Sequence, residues 1–271
     1  MAATTIDDII AALETIIAKC AAENSRLGYF ATLYLKVTKS VKDGIAAGQF
    51  QDGPRMEKLD VVFASRYLDA YNKWAAKQQP TSSWAITFEQ AERSSVLVLQ
   101  HLLLGMNAHI NLDLGIAAVE VCGDDPLSVM QQDFDAINTI ISALTNEVLF
   151  ELGQVSPLLS LLGLHASDSN SALIQFSIGN ARDGAWCFAE DLIAKKGDAY
   201  TQCITQRDGT IATLGKSLVQ GTGFFMKLTL WLIHVFETKK PSAIIKILNE
   251  YQKKKIVVNI SGAKEKISDP I

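Results

Sequence analysis

The chain has 271 residues, 48% of them hydrophobic and 20% charged, with a net charge of −4. That length suits one domain around a single core, or two fused helical halves. The charge argues against a nucleic-acid partner, because phosphate neutralisation needs clustered Lys and Arg and the one basic run is Lys253 to Lys255.

Apolar residues recur at a spacing near 3.6 along almost the whole chain, so an all-α, single-domain bundle of about nine helices is expected. Thr5 caps a first helix through Ile9, Leu13 and Ile16 to about Ala22, with Asp7 and Asp8 suiting the helix dipole. A second covers about Arg26 to Ala47. After the turn Gln51-Asp-Gly-Pro54, a third runs to about Lys77 and presents Leu59, Phe63, Tyr67, Ala70 and Trp74. Pro80-Thr-Ser-Ser83 breaks the chain; Trp84 to Val121 reads as helical throughout, with an offset near Ser94, and Gly123-Asp-Asp-Pro126 ends it. Further helices run to about Gln154, from Ser169 to Lys195, and from Thr201 to Glu237 with an interruption at Arg207-Asp-Gly209. Pro241 starts a last helix to Lys254, so the helical domain spans 1–255 and 256–271 form a tail holding the strand-like run Ile256 to Ile260.

Four scattered cysteines, with no Cys-x-x-Cys pair, read as buried small hydrophobes in a reducing compartment. The N-terminus lacks the basic and apolar regions of a signal peptide. The run Phe224 to Phe236 is too short to span a bilayer and reads as a buried helix. A soluble, cytoplasmic protein without a transmembrane segment is therefore expected, with Trp84, Trp186 and Trp231 in its core.

Chemistry points to His101-Leu-Leu-Leu-Gly-Met-Asn-Ala-His109-Ile-Asn-Leu-Asp113. On a helix, His109 and Asp113 share a face one turn apart, whereas His101 lies about 80° round and about 12 Å along the axis. His109 and Asp113 are thus candidate metal ligands, with Asp133 as a third, because imidazole and carboxylate one turn apart are a common ligand pair. His101, His109 and Arg182 are the candidate catalytic groups. Gly105, midway between the histidines, leaves room for another helix or a ligand. Arg66 and Asp69, interleaved with Phe63 and Tyr67, read as a buried stabilising pair. His165 and His234 read as structural or exposed.

The series Phe30…Tyr34-Leu-x-Val-Thr38, Leu59-Asp-Val-Val-Phe-Ala-x-Arg-Tyr-Leu-Asp-Ala70, Trp84, Leu104-Gly-Met-Asn-Ala-His-Ile-Asn-Leu-Asp-Leu114, Asp133-Phe-x-x-Ile-Asn138 and Ala181-Arg-x-x-Ala-Trp186 resembles an uncharacterised family, domain of unknown function 5995, over about Tyr29 to Leu192. The resemblance implies a single helical domain and brings no activity, cofactor or catalytic residue. The pattern His101-x-x-x-Gly-x-x-x-His109-x-x-x-Asp113 is also similar to the helical zinc-dependent phospholipase C and nuclease class. The chain departs from that class in lacking its Gly-Asp-x-x-x-Pro-x-His run and in holding only four histidines.

Two functions from different classes fit these residues. One is a metal-dependent hydrolase of a small molecule, in which zinc, iron or manganese acidifies a bound water and Arg182 stabilises the developing anion. The other is a metal-free binding protein or enzyme with an apolar pocket between helices, or a non-catalytic scaffold whose buried polar groups specify the bundle.

Overall fold

The computed structural model describes residues 3–169 and 171–249. Among them the chain is helical, without strands, in twelve α-helical segments: α1 Ile6–Ala22, α2 Gly28–Ala46, α3 Gly53–Ala75, α4 Ser82–Ala91, α5 Val98–Ala108, α6 Gly115–Cys122, α7 Gln131–Val155, α8 Ala172–Gln175, α9 Ile178–Ile193, α10 Gly197–Val219, α11 Gly223–Phe236 and α12 at residues 241–249. A π-helical turn, His109–Leu114, joins α5 to α6 without a break, and short 3-10 segments lie at Leu127–Met130 and Leu159–His165.

The count exceeds nine because apolar spacing runs smoothly through breaks that it does not reveal. The stretch 92–97 is a full turn rather than an offset, and it folds α4 back against α5. Phe176 and Ser177 divide α8 from α9, and residues 220–222 divide α10 from α11. Conversely, Arg207-Asp-Gly209 lies inside an unbroken α10. The strand-like run Ile256 to Ile260 lies outside the described residues.

Helix starts are fixed by side chains that accept from otherwise unpaired backbone N–H groups. Thr5 and Asp8 form a reciprocal capping box on α1. Asp52 caps α3 by accepting from Arg55 N at 2.9 Å, with a proline in the first turn. Two other caps come from far along the chain. Asp208 of α10 accepts from Ser82 N and Ser83 N at 2.6 and 2.9 Å, closing α4. Glu237, just past α11, accepts from Val98 N at 3.1 Å, closing α5. Gly123, at φ +61°, ends α6.

The continuous rod from α5 through the π turn to α6 is the centre of the bundle. It contacts α2, α3, α4, α7, α9 and α10. Two glycines allow the closest approaches: a Cβ on Gly105 would lie 2.3 Å from the Phe30 ring, and one on Gly115 would lie 2.8 Å from the Ala185 carbonyl. The room expected at Gly105 is thus occupied by a side chain of α2.

The rod also corrects the expectation that no segment could span a membrane. Val98–Cys122 has 25 residues and a mean hydropathy of 1.4 over its best window, long and apolar enough to cross a bilayer. Two bent helix pairs, Glu147–Val155 with Leu159–His165 and Gly197–Val219 with Gly223–Phe236, would bring such segments to three if each counted as one. His, Asn and Asp side chains punctuate the run, but only Asp113 and Glu120 carry full charge within it. In this fold 83% of that window is buried against other helices.

Candidate functional site

The π turn organises the polar centre. A π turn holds an extra residue relative to an α turn and is frequent at functional sites. Here it is clamped from outside: Arg207 of α10 donates through Nε to the Asn111 carbonyl at 2.9 Å and through Nη2 to the Gly184 carbonyl of α9 at 3.1 Å. Asn107 donates to the Ile211 carbonyl at 2.9 Å, and Asn111 donates to the Asn107 side-chain oxygen at 3.1 Å. The turn is therefore tied to both helices behind it.

On its other side the turn presents Asp113, which is 1% exposed. Its carboxylate meets Trp84 Nε1 at 2.8 Å, Arg66 Nε at 3.1 Å and His109 Nδ1 at 3.2 Å, joining α3, α4 and the rod. A carboxylate that accepts from this ring fixes the tautomer: the proton sits on Nδ1, and Nε2 carries a lone pair. Burial pushes the His109 pKa down, and Asp113 offsets this only in part, so the imidazole is neutral near pH 7. Its Nε2 is buried and has no hydrogen-bond partner among the described residues. The ring stacks on Phe63 with centroids 3.6 Å apart, meets Tyr34 edge-on at 4.5 Å, and has Phe30, Trp84 and Tyr67 around it.

Beside this hub lies a cavity of about 660 Å³, enclosed mainly by apolar side chains of α2, α3, α5 and α7 and the start of α9. His109, Phe63 and Tyr34 belong to its wall, as do Asp60, Arg182 and Asn138. Its wall residues Asn138, Thr145 and Leu149 on α7, and Gly179 and Asp183 on α9, are exposed and mark the mouth. Asp60 is buried, with Oδ2 unpartnered, and makes no ion pair among the described residues. Burial, with a smaller contribution from Glu57, raises its pKa to about 7.

A profile described as a family of unknown function (DUF5995) matches residues 6–221. The chain belongs to that family. The match takes in α1 to α10, and hence every helix of the hub and the cavity wall, and stops before α11. No curated protein and no solved structure matches this DUF5995 chain.

The other residues singled out in the DUF5995 sequence are placed as follows. His101 is buried with its ring edge against Tyr29, centroids 5.7 Å apart, and is not part of the cavity wall. Burial, and secondarily Arg26, lower its pKa to about 3. Asp133 stands away from the His109–Asp113 pair: it accepts from Gln51 N at 2.6 Å and pairs with Arg55 at 2.8 Å, fastening the start of α3 to α7. Arg182 joins the cavity wall with its guanidinium 4.2 Å from the Phe134 ring centroid, donating to the Phe134 carbonyl. Among the described residues no group of three or more His, Cys, Asp or Glu side chains is placed to hold a metal ion. Arg66 pairs with Asp113 and Glu120 rather than with Asp69, which is exposed and pairs with Lys73. Asp60, Trp84 and Arg207 were not singled out as site residues. The available signal was the aromatic recurrence Phe30, Tyr34 and Phe63, Tyr67 at one-turn spacing, which lines the space around His109.

Proposed function

We propose that this chain binds a small, mainly apolar molecule bearing one hydrogen-bonding group, in the cavity between α2, α3, α5 and α7. The observation that carries this reading is the cavity itself, which has the size of a ligand site and an apolar wall interrupted by few polar groups. Within that wall, His109 Nε2 and Asp60 Oδ2 are buried polar atoms without protein partners, and such atoms cost free energy until something pairs with them. A ligand hydroxyl donating to the His109 lone pair, or a carbonyl accepting from protonated Asp60, would supply the missing bond. Metal-dependent hydrolysis draws no comparable support, since Asp133 is engaged by Arg55 and, among the described residues, no third ligand joins His109 and Asp113.

One observation favours a catalytic extension of this reading. The Asp113–His109 pair orients an imidazole whose free nitrogen belongs to a cavity-wall residue, the arrangement of a general base. A bound molecule with an acidic C–H or O–H group would then be the substrate.

The test is calorimetric titration with a series of medium-chain alcohols, ketones and carboxylic acids. Binding is expected for at least one member, weakened about tenfold or more in Asp60→Asn or His109→Phe. It is expected to be lost in Met106→Trp, which fills the cavity from α5. Absence of binding across the series, or binding untouched by Met106→Trp, would overturn the reading.

A further inference from the structure

The sequence leads one to expect that Phe224 to Phe236 is a buried helix with Trp231 in the core. The structure corrects this. Only Met226, Thr229 and Ile233 of α11 are buried, on the face turned to the protein. Phe224 is 74% exposed, Phe225 75%, Trp231 58%, and Leu228, Val235 and Phe236 are also exposed. At about 100° per residue, Phe224, Leu228, Trp231 and Val235 fall within about 60° of one another and form one continuous outward stripe. Leu164, on the 3-10 segment packed against α11, is exposed as well.

We propose that this face of α11 seats the protein on the headgroup layer of a membrane carrying anionic lipids. The charge around the stripe selects this occupant. The whole chain carries −4, yet α11 and the segments on either side of it, residues 209–240, hold Lys216, Lys227, Lys239 and Lys240 against a single acid, Glu237. That acid is already committed to Val98 N and the Ser156 hydroxyl, and Asp168, which reaches the start of α11 from the preceding segment, accepts from the Thr222 hydroxyl at 2.8 Å. All four lysines are exposed, and Lys227 sits directly beside the apolar stripe. An aromatic stripe with one lysine beside it and others in the adjoining segments is the composition of an in-plane amphipathic helix: Trp and Phe enter the acyl boundary while the ammonium groups meet phosphates. A second copy of this chain would oppose the same cations to themselves, so charge disfavours self-pairing. α11 lies beyond the family match, and the cavity and hub do not depend on its outer face.

The test is co-sedimentation of the full chain with vesicles of phosphatidylcholine alone and of phosphatidylcholine mixed with phosphatidylglycerol. Binding is expected on the mixed vesicles, about tenfold or more weaker on phosphatidylcholine alone, and accompanied by a blue shift of Trp231 emission. Phe224→Ser combined with Trp231→Ser is expected to abolish it, and Lys239→Ala with Lys240→Ala to weaken it about tenfold on the mixed vesicles. Both sets of residues are exposed, so helicity and melting should be unchanged. Titration of the cavity ligand in the same variants reads the other proposal separately. Failure to bind either vesicle would overturn the inference. So would binding that survives Phe224→Ser with Trp231→Ser, or a dimer in vesicle-free buffer that this variant dissolves.

Discussion

The indole N–H of Trp84 donates to the same oxygen of Asp113, Oδ2, that His109 Nδ1 reaches, at 2.8 and 3.2 Å. Arg66 Nε takes the other oxygen at 3.1 Å. One carboxylate therefore holds three helices and one imidazole tautomer at once. Asp113→Asn keeps the shape but turns an N–H donor toward at least one of these N–H groups. The expected loss is about 3 kcal/mol in urea unfolding, since a buried charge network loses one partner. A loss below about 1 kcal/mol would show that the hub is not a stabilising centre.

Asp60 gives a pH signature of known sign. Its folded-state pKa of about 7 stands above the ordinary aspartate value of 3.8, so between these values the folded chain binds more protons than the unfolded one. The stability this group contributes is fully present below about pH 4 and is lost as pH rises through about 7. The difference corresponds to an upper bound of about 4 kcal/mol. Asp60→Asn should flatten this part of the profile of melting temperature against pH; an unchanged slope in the variant would contradict the assignment.

His101 acts with the opposite sign. Its pKa, lowered to about 3 by burial, keeps the ring neutral in the fold while the unfolded ring protonates near 6.5. Its contribution is therefore complete above about pH 6.5 and declines as pH falls toward 3. Proton resonances of its imidazole should not titrate between about pH 8 and pH 5. A midpoint inside that range would mean that the ring is hydrated or paired.

Lys36 of α2 is buried and donates to both Glu147, at 2.9 Å, and Glu151 of α7, on the helix pair that bounds the cavity. Lys36→Met leaves two carboxylates without their cation and should cost roughly 3–5 kcal/mol. Adding Glu147→Leu and Glu151→Leu should restore most of that stability. Chemical denaturation of the single and triple variants decides the point, and equal losses in both would refute the account.

The helical class, the first three helices and the inward face of His109 and Asp113 were legible because each rests on local signals: caps at Thr5 and Asp52, Pro54, and a one-turn spacing. What was not legible depends on partners distant in the chain. Asp133 read as a metal ligand because nothing near it announces Arg55, 78 residues earlier. Arg207-Asp-Gly209 read as a break because polar residues with glycine usually end helices; yet Asp208 is turned inward to cap α4, and Arg207 to clamp Asn111. Trp231 read as core because hydrophobicity reports what a residue prefers, not whether the fold has anything left to cover it.

The π turn makes part of the rod a matter of arithmetic rather than of chemistry. It inserts one residue of rotational lag between Gly105, seated under Phe30, and Gly115, seated against Ala185. Closing His109–Leu114 to α-helical bonding with all its residues kept would swing everything beyond it by about 100°. Gly115 would turn from α9, and Asp113 would leave Trp84. The extra residue is thus what lets Gly105 and Gly115 meet their two different partners from one rod, and a change of side chain at Ile110, which is only half-buried, leaves that count untouched.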